Sequence, residues 1–355
     1  MKVLHIIETL GRGGAEHALL NLLPLTQANG IESCVCVLSK PYDLQSDLEK
    51  EDIRVVGLNG LSFWQKRNKL KVYCTEQRID IVHSHLTRSL ILSGFLSGSF
   101  KRVNSLHNLG YLAQPARTLK AKTKKSVASF VANQRVNCHV AVSKAVKEHY
   151  QSHFHLKDVS VIANPIVVPD LKVRANDSIV VPGRLVAEKG HLDLLDVIRQ
   201  LTDDGMNYPW VFAGGGVLES EISDKINHLN LDKTVTITGV LPQSQFFSVM
   251  AQSQLVVLPS LFEGFGMAAA EAMMLGKAVV VSDAGGLAEL VIDNKTGLMF
   301  AKGDKIQMYE KLQLILKDEK MKAKLARAGQ KYTKDNFSAT VIAKSWSALY
   351  QSVRS

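Results

Sequence analysis

Short apolar segments rich in β-branched residues alternate with helical patterns along almost the whole chain. Each apolar segment has the length of a buried strand. The stretches between them, such as Ala15–Asn29 and Ser143–Ser152, are long enough to form a crossover helix. Strands joined in this way run parallel, with helices on both faces of the sheet. The alternation therefore predicts an α/β fold of doubly wound parallel sheets.

A single interruption divides this pattern into two parts. Between Ala163 and Asn176 the chain contains two prolines and ends on polar residues, which predicts a linker. A chain of 355 residues also exceeds the usual size of one hydrophobic core. We expect one Rossmann-like domain in residues 1–165 and a second in residues 166–337. Residues 338–355 carry apolar side chains at helical spacing and predict a C-terminal helix with one buried stripe.

The stretch from Pro259 to Glu289 combines two carboxylates with a glycine-flanked helix start. Glu271 lies eight positions after Glu263, and on one helix the two would be about 80° apart, poorly placed to share a ligand. If the helix begins near Gly266, its N-terminal amides form an anion site between the two carboxylates. The amides expected to face the anion are those of Phe265, Gly266 and Met267. Hydroxyl-binding carboxylates on either side of a diphosphate predict a nucleotide-sugar site.

Basic side chains and glycines follow other strands of the predicted second sheet. Arg184 and Lys189 lie after its first strand, where a guanidinium and an ammonium can neutralise a diphosphate leaving group. Gly215 and Val240 follow the next two strands, where the backbone can either approach a ligand or simply turn. In the first domain, Gly11–Glu16 opens a helix but lacks the full G-x-G-x-x-G spacing, which disfavours NAD binding. Its glycines serve either a ligand or a tight turn.

Three histidines lie at strand ends of the predicted first sheet. His83 and His85 share one face of a strand, so a metal pair is one alternative, but we expect structural roles for them. The chain has no Asp-x-Asp triplet and offers no convergent third ligand in our interpretation, which argues against a metal-bound diphosphate. His107 follows the next strand, on a loop expected to face the space between the domains, and is the better catalytic candidate.

The net charge of +10 is carried by the first half of the chain. Residues 1–165 contain 22 Lys/Arg and 12 Asp/Glu, whereas residues 166–355 contain 21 of each. Such a surface suits an anionic membrane leaflet or glycolipid, with a solvated basic face or nucleic acid as alternatives. Aromatic residues are sparse among these charges, which disfavours binding of single strands. The expected patch consists of Lys66, Arg67, Arg117, Lys120, Lys122, Lys124 and Lys125.

Cysteine spacing and hydropathy bear on the compartment. The four cysteines show no C-x-x-C spacing and predict reduced core thiols. No apolar run approaches the ~20 residues of a membrane span. The N-terminal segment has the pattern of a first strand, not of a signal peptide. We therefore expect a cytoplasmic protein, peripheral to the inner face of the cell membrane.

Four motifs in sequence order resemble the retaining GT-B glycosyltransferases of glycosyltransferase family 4. They are GGAE at 13–16, VSKAV at 142–146, GRLVAEKG at 183–190 and EGFGMAAAEAMMLGKAVVVSDAGGLAE at 263–289. The resemblance covers essentially the whole chain. It implies two Rossmann-like domains facing a cleft, with the acceptor bound by the first and the donor by the second. It also implies a C-terminal helix that crosses back to the first domain, and transfer without a metal or other cofactor.

The resemblance further implies roles for individual residues. Glu263 would contact hydroxyls of the donor sugar, Glu271 the ribose diol, and Arg184 and Lys189 the diphosphate. Retention would follow from front-face attack, in which the leaving phosphate oxygen takes the acceptor proton. The implied catalytic residues are His107, Glu263, Arg184 and Lys189. The implied donor-binding residues are Gly13, Gly14, Arg184, Lys189, Gly215, Val240, Glu263, Phe265, Gly266, Met267 and Glu271.

Two positions depart from the pattern of this family. Where the family commonly has N-G-I-D after the interdomain strand, this chain has Asn164-Pro165-Ile166-Val167. Proline removes flexibility there, and Val167 removes a carboxylate. After His107 the chain has Asn108 in place of a frequent aspartate.

The expected activity is transfer of a hexosyl or N-acetylhexosaminyl unit from a nucleoside diphosphate sugar, with UDP as the expected nucleotide. The basic first domain suggests an acceptor in lipopolysaccharide, O-antigen or capsule biosynthesis. The expected partners are therefore the donor, a saccharide or glycolipid acceptor and an anionic membrane surface, without nucleic acid. The alternatives are a GT-B-like UDP-sugar epimerase and a basic, nonenzymatic nucleic-acid-binding protein.

Overall fold

The computed structural model describes residues 1–108 and 118–354. The chain forms two compact units, each built around its own parallel sheet. Unit 1 comprises Met1–Pro165 together with Ser338–Ser355, and unit 2 comprises Ile166–Phe337. The C-terminal segment therefore belongs to the first unit, as the resemblance implied.

Unit 1 contains a seven-stranded sheet in which every strand pair is parallel. Its strands are β1 (Lys2–Ile7), β2 (Glu32–Val37), β3 (Arg54–Gly57), β4 (Ile81–His85), β5 (Lys101–Leu106), β6 (Cys138–Ala141) and β7 (Val159–Val161). The strand order is β3-β2-β1-β4-β5-β6-β7, so the direction of winding changes between β1 and β4. In doubly wound sheets, ligands bind at the carboxyl ends of the two strands that flank this change.

The helices of unit 1 begin where the sequence supplies side-chain caps. Ser62 forms a capping box with Gln65, and the side chains of Thr118 and Ser143 cap the helices that follow them. The helices are α1 (Gly14–Ala28), α2 (Gln45–Lys50), α3 (Phe63–Glu76), α4 (Thr87–Gly94), α5 (Leu119–Arg135), α6 (Lys144–Phe154) and, at the C-terminus of the chain, α14 (Ala339–Arg354).

The C-terminal helix α14 packs on the unit 1 sheet through one apolar stripe. Trp346 and Tyr350 are buried and share a hydrophobic cluster with Val3 of β1 and Ile81 of β4. Burial of such large side chains contributes roughly 1.5–3 kcal/mol each. The stripe therefore fixes α14 beneath the two central strands.

Unit 2 contains a six-stranded sheet, again with parallel pairs only. Its strands are β8 (Ile179–Pro182), β9 (Trp210–Ala213), β10 (Val235–Ile237), β11 (Leu255–Leu258), β12 (Ala278–Ser282) and β13 (Leu298–Phe300). The order is β10-β9-β8-β11-β12-β13, which places the change of winding between β8 and β11. The strands are almost fully buried, which explains why they read as continuous apolar runs.

The helices of unit 2 cover both faces of this sheet. They are the short 3₁₀ helix Ala187–Lys189, α7 (His191–Asp203), α8 (Glu219–His228), α9 (Gln243–Gln252), α10 (Met267–Met274), α11 (Leu287–Leu290), α12 (Lys305–Lys317) and α13 (Glu319–Phe337). The core between sheet and helices is anchored by Trp210, Phe212 and Phe300. The alternation in the sequence thus predicted both sheets and the fold class correctly.

Candidate active site

The loops after β8 and β11 meet at the carboxyl edge of the unit 2 sheet. Lys189, in the 3₁₀ helix after β8, forms an ion pair with Glu263 in the loop after β11. The side chains are only 19% and 16% exposed, so solvent screens the pair weakly. The sequence predicted that these groups bind different parts of a ligand, and the structure places them in direct contact. This edge is called the unit 2 site below.

Backbone hydrogen bonds hold the Glu263 loop against its neighbours. Leu261 donates its amide to the Glu188 carbonyl at 2.8 Å, and Gly286 donates to the Glu263 carbonyl at 3.0 Å. The hydroxyl of Ser260 lies 3.4 Å from Glu263 Oε2, and the Ser260 carbonyl accepts from Ser282 Oγ at 2.5 Å. Segments after β8, β11 and β12 therefore converge on the loop that carries Glu263.

Two glycines permit this convergence. Gly190 has φ +69°, and a Cβ there would lie 2.1 Å from the Pro259 carbonyl oxygen. Gly266 has φ +100°, and a Cβ there would lie 2.6 Å from Leu287 Cδ2. Both positions require a conformation and a close approach that residues with a side chain do not tolerate.

Helix α10 begins at Met267 with Gly266 as its N-cap, as predicted. Its first amides have no acceptor within the helix and point out of its N-terminus, where an anion is stabilised. Phe265 is buried and packs edge-on against Phe337, with ring centroids 5.5 Å apart. This contact fixes Phe265, which precedes the N-cap of the helix.

Glu271 lies just over one turn into α10 and is 9% exposed. Its carboxyl group makes no hydrogen bond within the described residues, and burial raises its pKa to about 8. A carboxyl group with free acceptor positions beside a helix N-terminus is suited to accept hydrogen bonds from hydroxyl donors. The predicted ribose contact of Glu271 stays a prediction.

The remaining predicted residues of the second domain lie along the same edge. Arg184 follows β8 and is exposed, and its guanidinium makes no hydrogen bond or ion pair to any residue in the described ranges. The carbonyl of Gly215 accepts from Leu185, and a Cβ on Gly215 would lie 3.1 Å from Val240 Cγ2. The loops after β8, β9 and β10 are therefore neighbours. The sequence grouped these residues correctly, since carboxyl ends of parallel strands share one edge.

At the corresponding edge of unit 1, three imidazoles form a hydrogen-bonded row. His5 Nδ1 lies 3.1 Å from His85 Nε2, and His85 Nδ1 lies 3.0 Å from His107 Nε2. We call His5, His85 and His107 the histidine row. Burial lowers the pKa of His5 to about 3 and of His107 to about 4, and that of His85 falls well below its ordinary value. The imidazoles are therefore neutral at pH 7.

The fourth imidazole, His83, has a structural environment. Its Nδ1 lies 2.6 Å from the Tyr350 hydroxyl of α14, and its Nε2 lies 2.8 Å from Ser105 Oγ. One nitrogen each of His5, His83 and His85 lie within 4.8 Å of one another. The expectation that no third ligand converges on His83 and His85 was wrong. His5 was missed because β1 and β4 become neighbours only through sheet pairing.

The His107 side chain also lines a cavity of about 280 Å³ within unit 1. Charged or polar groups of Glu8, Arg88, Asn108 and Lys124 line it as well. The Arg88 amide donates to Glu8 Oε1 at 2.7 Å. Apolar walls come from α4, α5, α6 and the segment just after α6, among them Leu90, Ala128, Ala132, Tyr150, Phe154 and Leu156. The cavity is thus half polar and half apolar, and it lies beside the change of winding.

Gly13 and Gly14 open α1 on the same edge of unit 1. Here the structure supplies a local reason for glycine, because a Cβ on Gly13 would lie 2.4 Å from Glu16 Oε2. The Glu16 carboxylate accepts from Thr9 Oγ1 at 3.0 Å, and burial raises its pKa. The predicted donor contact of Gly13 and Gly14 stays a prediction.

The expected basic patch is divided among different environments. Lys66 Nζ donates to the Leu38 carbonyl and Arg67 Nε to the Phe95 carbonyl, each at 2.8 Å. On α5, Lys120 and Lys122 are exposed. Lys124 lines the cavity, and the Lys125 ammonium lies 5.2 Å from the centroid of the Phe154 ring. Arg117 lies outside the described residues.

An exposed aromatic cluster adjoins the basic side chains of α3. The rings of Phe63, Trp64 and Phe95 contact one another edge-on, with centroids 5.3 to 6.4 Å apart. Trp64 is 61% exposed, and the Arg67 guanidinium lies 5.9 Å from its ring centroid. The sequence analysis missed this cluster because Phe95 is distant in sequence. The FW pair at the start of α3 was its only sequence signal.

Two family models match consecutive parts of the chain. The model described as Glycosyltransferase Family 4 matches residues 12–168, and the model described as Glycosyl transferases group 1 matches residues 171–332. The chain belongs to the group 1 glycosyltransferases. The second match contains every predicted residue of the unit 2 site, and the first contains His85 and His107.

Curated relatives of this glycosyltransferase differ in how much they share with it. An uncharacterized glycosyltransferase of Methanocaldococcus jannaschii is 26% identical over 279 residues, 78% of this chain and 76% of the relative. The capsular polysaccharide biosynthesis glycosyltransferase CapM of Staphylococcus aureus is 26% identical over 177 residues, 49% of this chain and 46% of the relative. For several relatives, including CapM, the match spans less than half of their length.

Among solved structures, HepE of Anabaena in complex with UDP-glucose has a TM-score of 0.84 and 21% identity. The alignment covers 99% of this chain and 100% of HepE. A sucrose-phosphate synthase of Thermosynechococcus elongatus has a TM-score of 0.81 at 19% identity, with 99% of each chain covered. The glycosyltransferase therefore has the GT-B fold that the sequence motifs predicted.

None of the helices described within residues 1–108 and 118–354 is long and apolar enough to cross a membrane. All four cysteines are free thiols.

Proposed function

We propose that this group 1 glycosyltransferase moves a hexosyl or N-acetylhexosaminyl unit from a UDP-sugar to a saccharide acceptor. The transfer retains the anomeric configuration and requires no metal ion. The acceptor belongs to a cell-surface polysaccharide or glycolipid, as in capsule, O-antigen or lipopolysaccharide biosynthesis. Unit 2 binds the donor and unit 1 the acceptor.

The observation that carries the proposal is the composition of the unit 2 site. The cationic groups of Arg184 and Lys189 and the N-terminus of α10 supply positive potential at the change of winding. Glu263 and Glu271 supply hydroxyl acceptors on either side of that N-terminus. A nucleotide sugar has the complementary arrangement, with a negatively charged diphosphate between the hydroxyl groups of the ribose and those of the donor sugar.

The Lys189–Glu263 ion pair is compatible with donor binding. An ammonium carries three donors, so Lys189 can retain Glu263 and still donate to a phosphate oxygen. The Arg184 guanidinium, which has no partner in residues 1–108 and 118–354, adds a fork that matches phosphate geometry. As the glycosidic bond breaks, negative charge develops on the leaving diphosphate, and these cations stabilise it.

Retention then follows from attack on the face from which the diphosphate departs. The departing phosphate oxygen accepts the proton of the acceptor hydroxyl, so no protein carboxylate has to act as a base. The role of the protein is to orient the two substrates and to stabilise the departing charge. Comparisons support the choice of nucleotide, since HepE was crystallised with UDP-glucose.

The acceptor side of the proposal rests on unit 1. Its half-polar cavity places His107 among Glu8, Arg88 and Lys124, which suits hydroxyl or anionic groups of a saccharide. The name of CapM, a capsular polysaccharide biosynthesis enzyme, supports a surface polysaccharide. The exposed aromatic cluster beside the cations of α3 supports contact with an anionic membrane at the cytoplasmic face, because aromatic rings partition to headgroup depth.

The decisive experiment measures UDP release and product formation with UDP-glucose, UDP-galactose and the two N-acetylhexosamine donors. Lys189→Ala and Glu263→Ala are expected to lower kcat/KM by about a hundredfold or more, because each removes a charged group at the reacting centre. Lys225→Ala is the matched control. Lys225 is also an ion-paired lysine of unit 2, in which α8 contributes Lys225 and α7 contributes its partner Asp196. Full turnover of Lys189→Ala would refute the site assignment.

The same assay separates the alternatives. An epimerase would release UDP and free sugar without any acceptor, and a nucleic-acid-binding protein would bind DNA with steep salt dependence and no UDP-sugar. Retention is tested by NMR of the product, in which an α-linked donor must give an α-linked glycoside. Turnover that is unaffected by EDTA is the expected result for metal independence.

Membrane contact is tested separately by flotation with phosphatidylglycerol vesicles and with zwitterionic vesicles. Replacing Lys120 and Lys122 by glutamine is expected to weaken binding to anionic vesicles by roughly 1 kcal/mol per charge. Trp64→Ser is expected to weaken binding to both. Equal flotation of wild type and variants would remove the support for the patch.

A further inference from the structure

The histidine row has a property that no single histidine of it would have. Each neutral imidazole carries one N–H and one acceptor nitrogen. His85 uses both of its nitrogens within the row, one toward His5 and one toward His107. If its Nδ1 donates to His107, its Nε2 must accept from His5, and the reverse holds when its Nε2 donates.

Two arrangements of the row are therefore free of conflict. In the first, His5 donates to His85, His85 donates to His107 Nε2, and His107 carries its proton on Nδ1. In the second, every bond is reversed, and His107 Nδ1 presents a lone pair. A mixed arrangement would place two donors or two acceptors face to face at one of the bonds, and a hydrogen bond lost in a buried place is strongly unfavourable.

The ends of the row are open. Among the described residues, the buried nitrogens His5 Nε2 and His107 Nδ1 have no hydrogen-bond partner. In the first arrangement His107 Nδ1 needs an acceptor and His5 Nε2 needs a donor, and in the second arrangement the needs are reversed. Of these two residues, only His107 lines the cavity. The direction of the row thus decides whether His107 Nδ1 donates a hydrogen bond to a polar group in the cavity or accepts one from it.

The backbone holds His85 in place for this role. Leu86, the next residue, has φ +70° without being glycine, which is a strained backbone conformation for a residue with a side chain. Ser89 Oγ donates to the His85 carbonyl, and Ser84 Oγ donates to Asn104 Oδ1 at 3.0 Å. A strained backbone conformation between a strand and the following helix persists only where neighbouring contacts hold it, and these hydrogen bonds are such contacts.

We propose that the histidine row acts as one unit with coupled tautomers. In this unit His85 positions His107, so that His107 Nδ1 faces a hydroxyl group of the bound saccharide. The inference deepens the proposed function and rests on it for the identity of the ligand. A hydroxyl group both donates and accepts, so it can pair with His107 Nδ1 in either arrangement. Reversing the row would require one proton to leave at His107 Nδ1 and another to enter at the buried His5 Nε2, so one arrangement persists. His85 is a positioning residue, since it acts on the ligand through His107.

Other polar groups lie near the histidine row, but none of those named here takes the place of His85 beside His107. His83 is occupied by Tyr350 and Ser105, and the charged groups that share the cavity with His107 are Glu8, Arg88 and Lys124. A metal ion bound by His5, His83 and His85 is the competing explanation for the short nitrogen distances. It would abolish the hydrogen bond between His5 and His85, and the experiment below distinguishes the two.

The test compares His85→Asn with His85→Gln in the full chain. An asparagine amide lies near the position of imidazole Nδ1, so it keeps the contact with His107. A glutamine amide lies near Nε2, so it keeps the contact with His5 and loses His107. Both remove the same ring from the same buried place, and a merely structural role would affect the two equally.

The readout is the ¹⁵N shift of the His107 ring nitrogens, assigned by difference with His107→Gln. In the wild type we expect one pyrrole-like and one pyridine-like nitrogen, unchanged from pH 5 to pH 9. His85→Asn should retain this pattern, whereas His85→Gln should show averaged tautomers. In the transfer assay His85→Gln should lower kcat about tenfold to a hundredfold with KM changed less than threefold, and His85→Asn should retain most of kcat.

Several results would overturn the inference. These are equal spectra and equal kcat for the two variants, averaged tautomers in the wild type, or one equivalent of zinc that remains bound in the wild type and is lost in His5→Leu. Because the spectra need no substrate, they decide the coupling of the row even if the wild type transfers no sugar. Absence of transfer by the wild type would instead refute the proposed function.

Discussion

Replacing Glu271 by glutamine should change how the stability of unit 2 depends on pH. Burial raises the pKa of this carboxyl group to about 8 from 4.5. Between these values the unfolded chain has lost the proton that the folded chain still holds, so unfolding releases a proton. The free energy of unfolding therefore falls as pH rises through this range, by up to about 1.4 kcal/mol per pH unit.

The raised pKa gives the magnitude. Stability is unaffected by Glu271 below pH 4.5 and is lowered by roughly 4–5 kcal/mol once the pH exceeds 8. Glutamine resembles the protonated acid in size and charge. Relative to the wild type, Glu271→Gln should thus gain about 2–3 kcal/mol of stability between pH 6 and pH 9. All other titrating groups are common to both proteins and cancel in the difference.

The assay is hydrogen exchange of the β11 amides, which lie in the centre of the unit 2 sheet and report its opening. Glu221→Gln, an exposed substitution on α8, is the matched control and should follow the wild-type profile. Parallel profiles for Glu271→Gln and the wild type would refute the reasoning, since they would mean that the carboxyl group gains no proton on folding.

Two further substitutions probe contacts that hold the sites. Gly190→Ala forces a Cβ to within 2.1 Å of the Pro259 carbonyl oxygen at φ +69°, so we expect a loss of roughly 1–3 kcal/mol of unit 2 stability and weaker UDP binding by calorimetry. Tyr350→Phe removes the hydroxyl group 2.6 Å from His83 Nδ1, and should cost unit 1 about 1–3 kcal/mol in a urea titration followed by hydrogen exchange of β4.

Each of these has a clear negative result. Unchanged UDP affinity in Gly190→Ala would mean that the loop carrying Lys189 tolerates displacement. Wild-type protection of β4 in Tyr350→Phe would mean that His83 finds another partner or that its bond to α14 contributes little.

The unit 2 site was largely predictable from the sequence for a geometric reason. All its residues follow strands of one parallel sheet, so their order in the chain already places Arg184, Lys189 and Glu263 at one edge. The helix start at Gly266 follows from the spacing between Glu263 and Glu271. The direct contact of Lys189 with Glu263 was not predictable, because it depends on the backbone approach at Gly190.

The basic patch shows the opposite case. Lysines that are neighbours in sequence turn toward different surroundings once they lie on a helix. Lys120 and Lys122 are exposed, whereas Lys124 lines a cavity and Lys125 lies over Phe154. The sequence therefore gives the net charge of the domain correctly. It does not give the surface on which the charges lie, because the direction of each side chain depends on its position around the helix.

The sequence by itself determined the two parallel sheets, the order of their strands along the chain and the chemistry at the unit 2 edge. Tertiary structure alone decided which strands became neighbours. Only when β1 pairs with β4 does His5 stand beside His85, and only when β4 pairs with β5 does His85 come close to His107. Local patterns encode periodicity and turns, whereas strand order and side-chain register arise from packing between segments far apart in sequence.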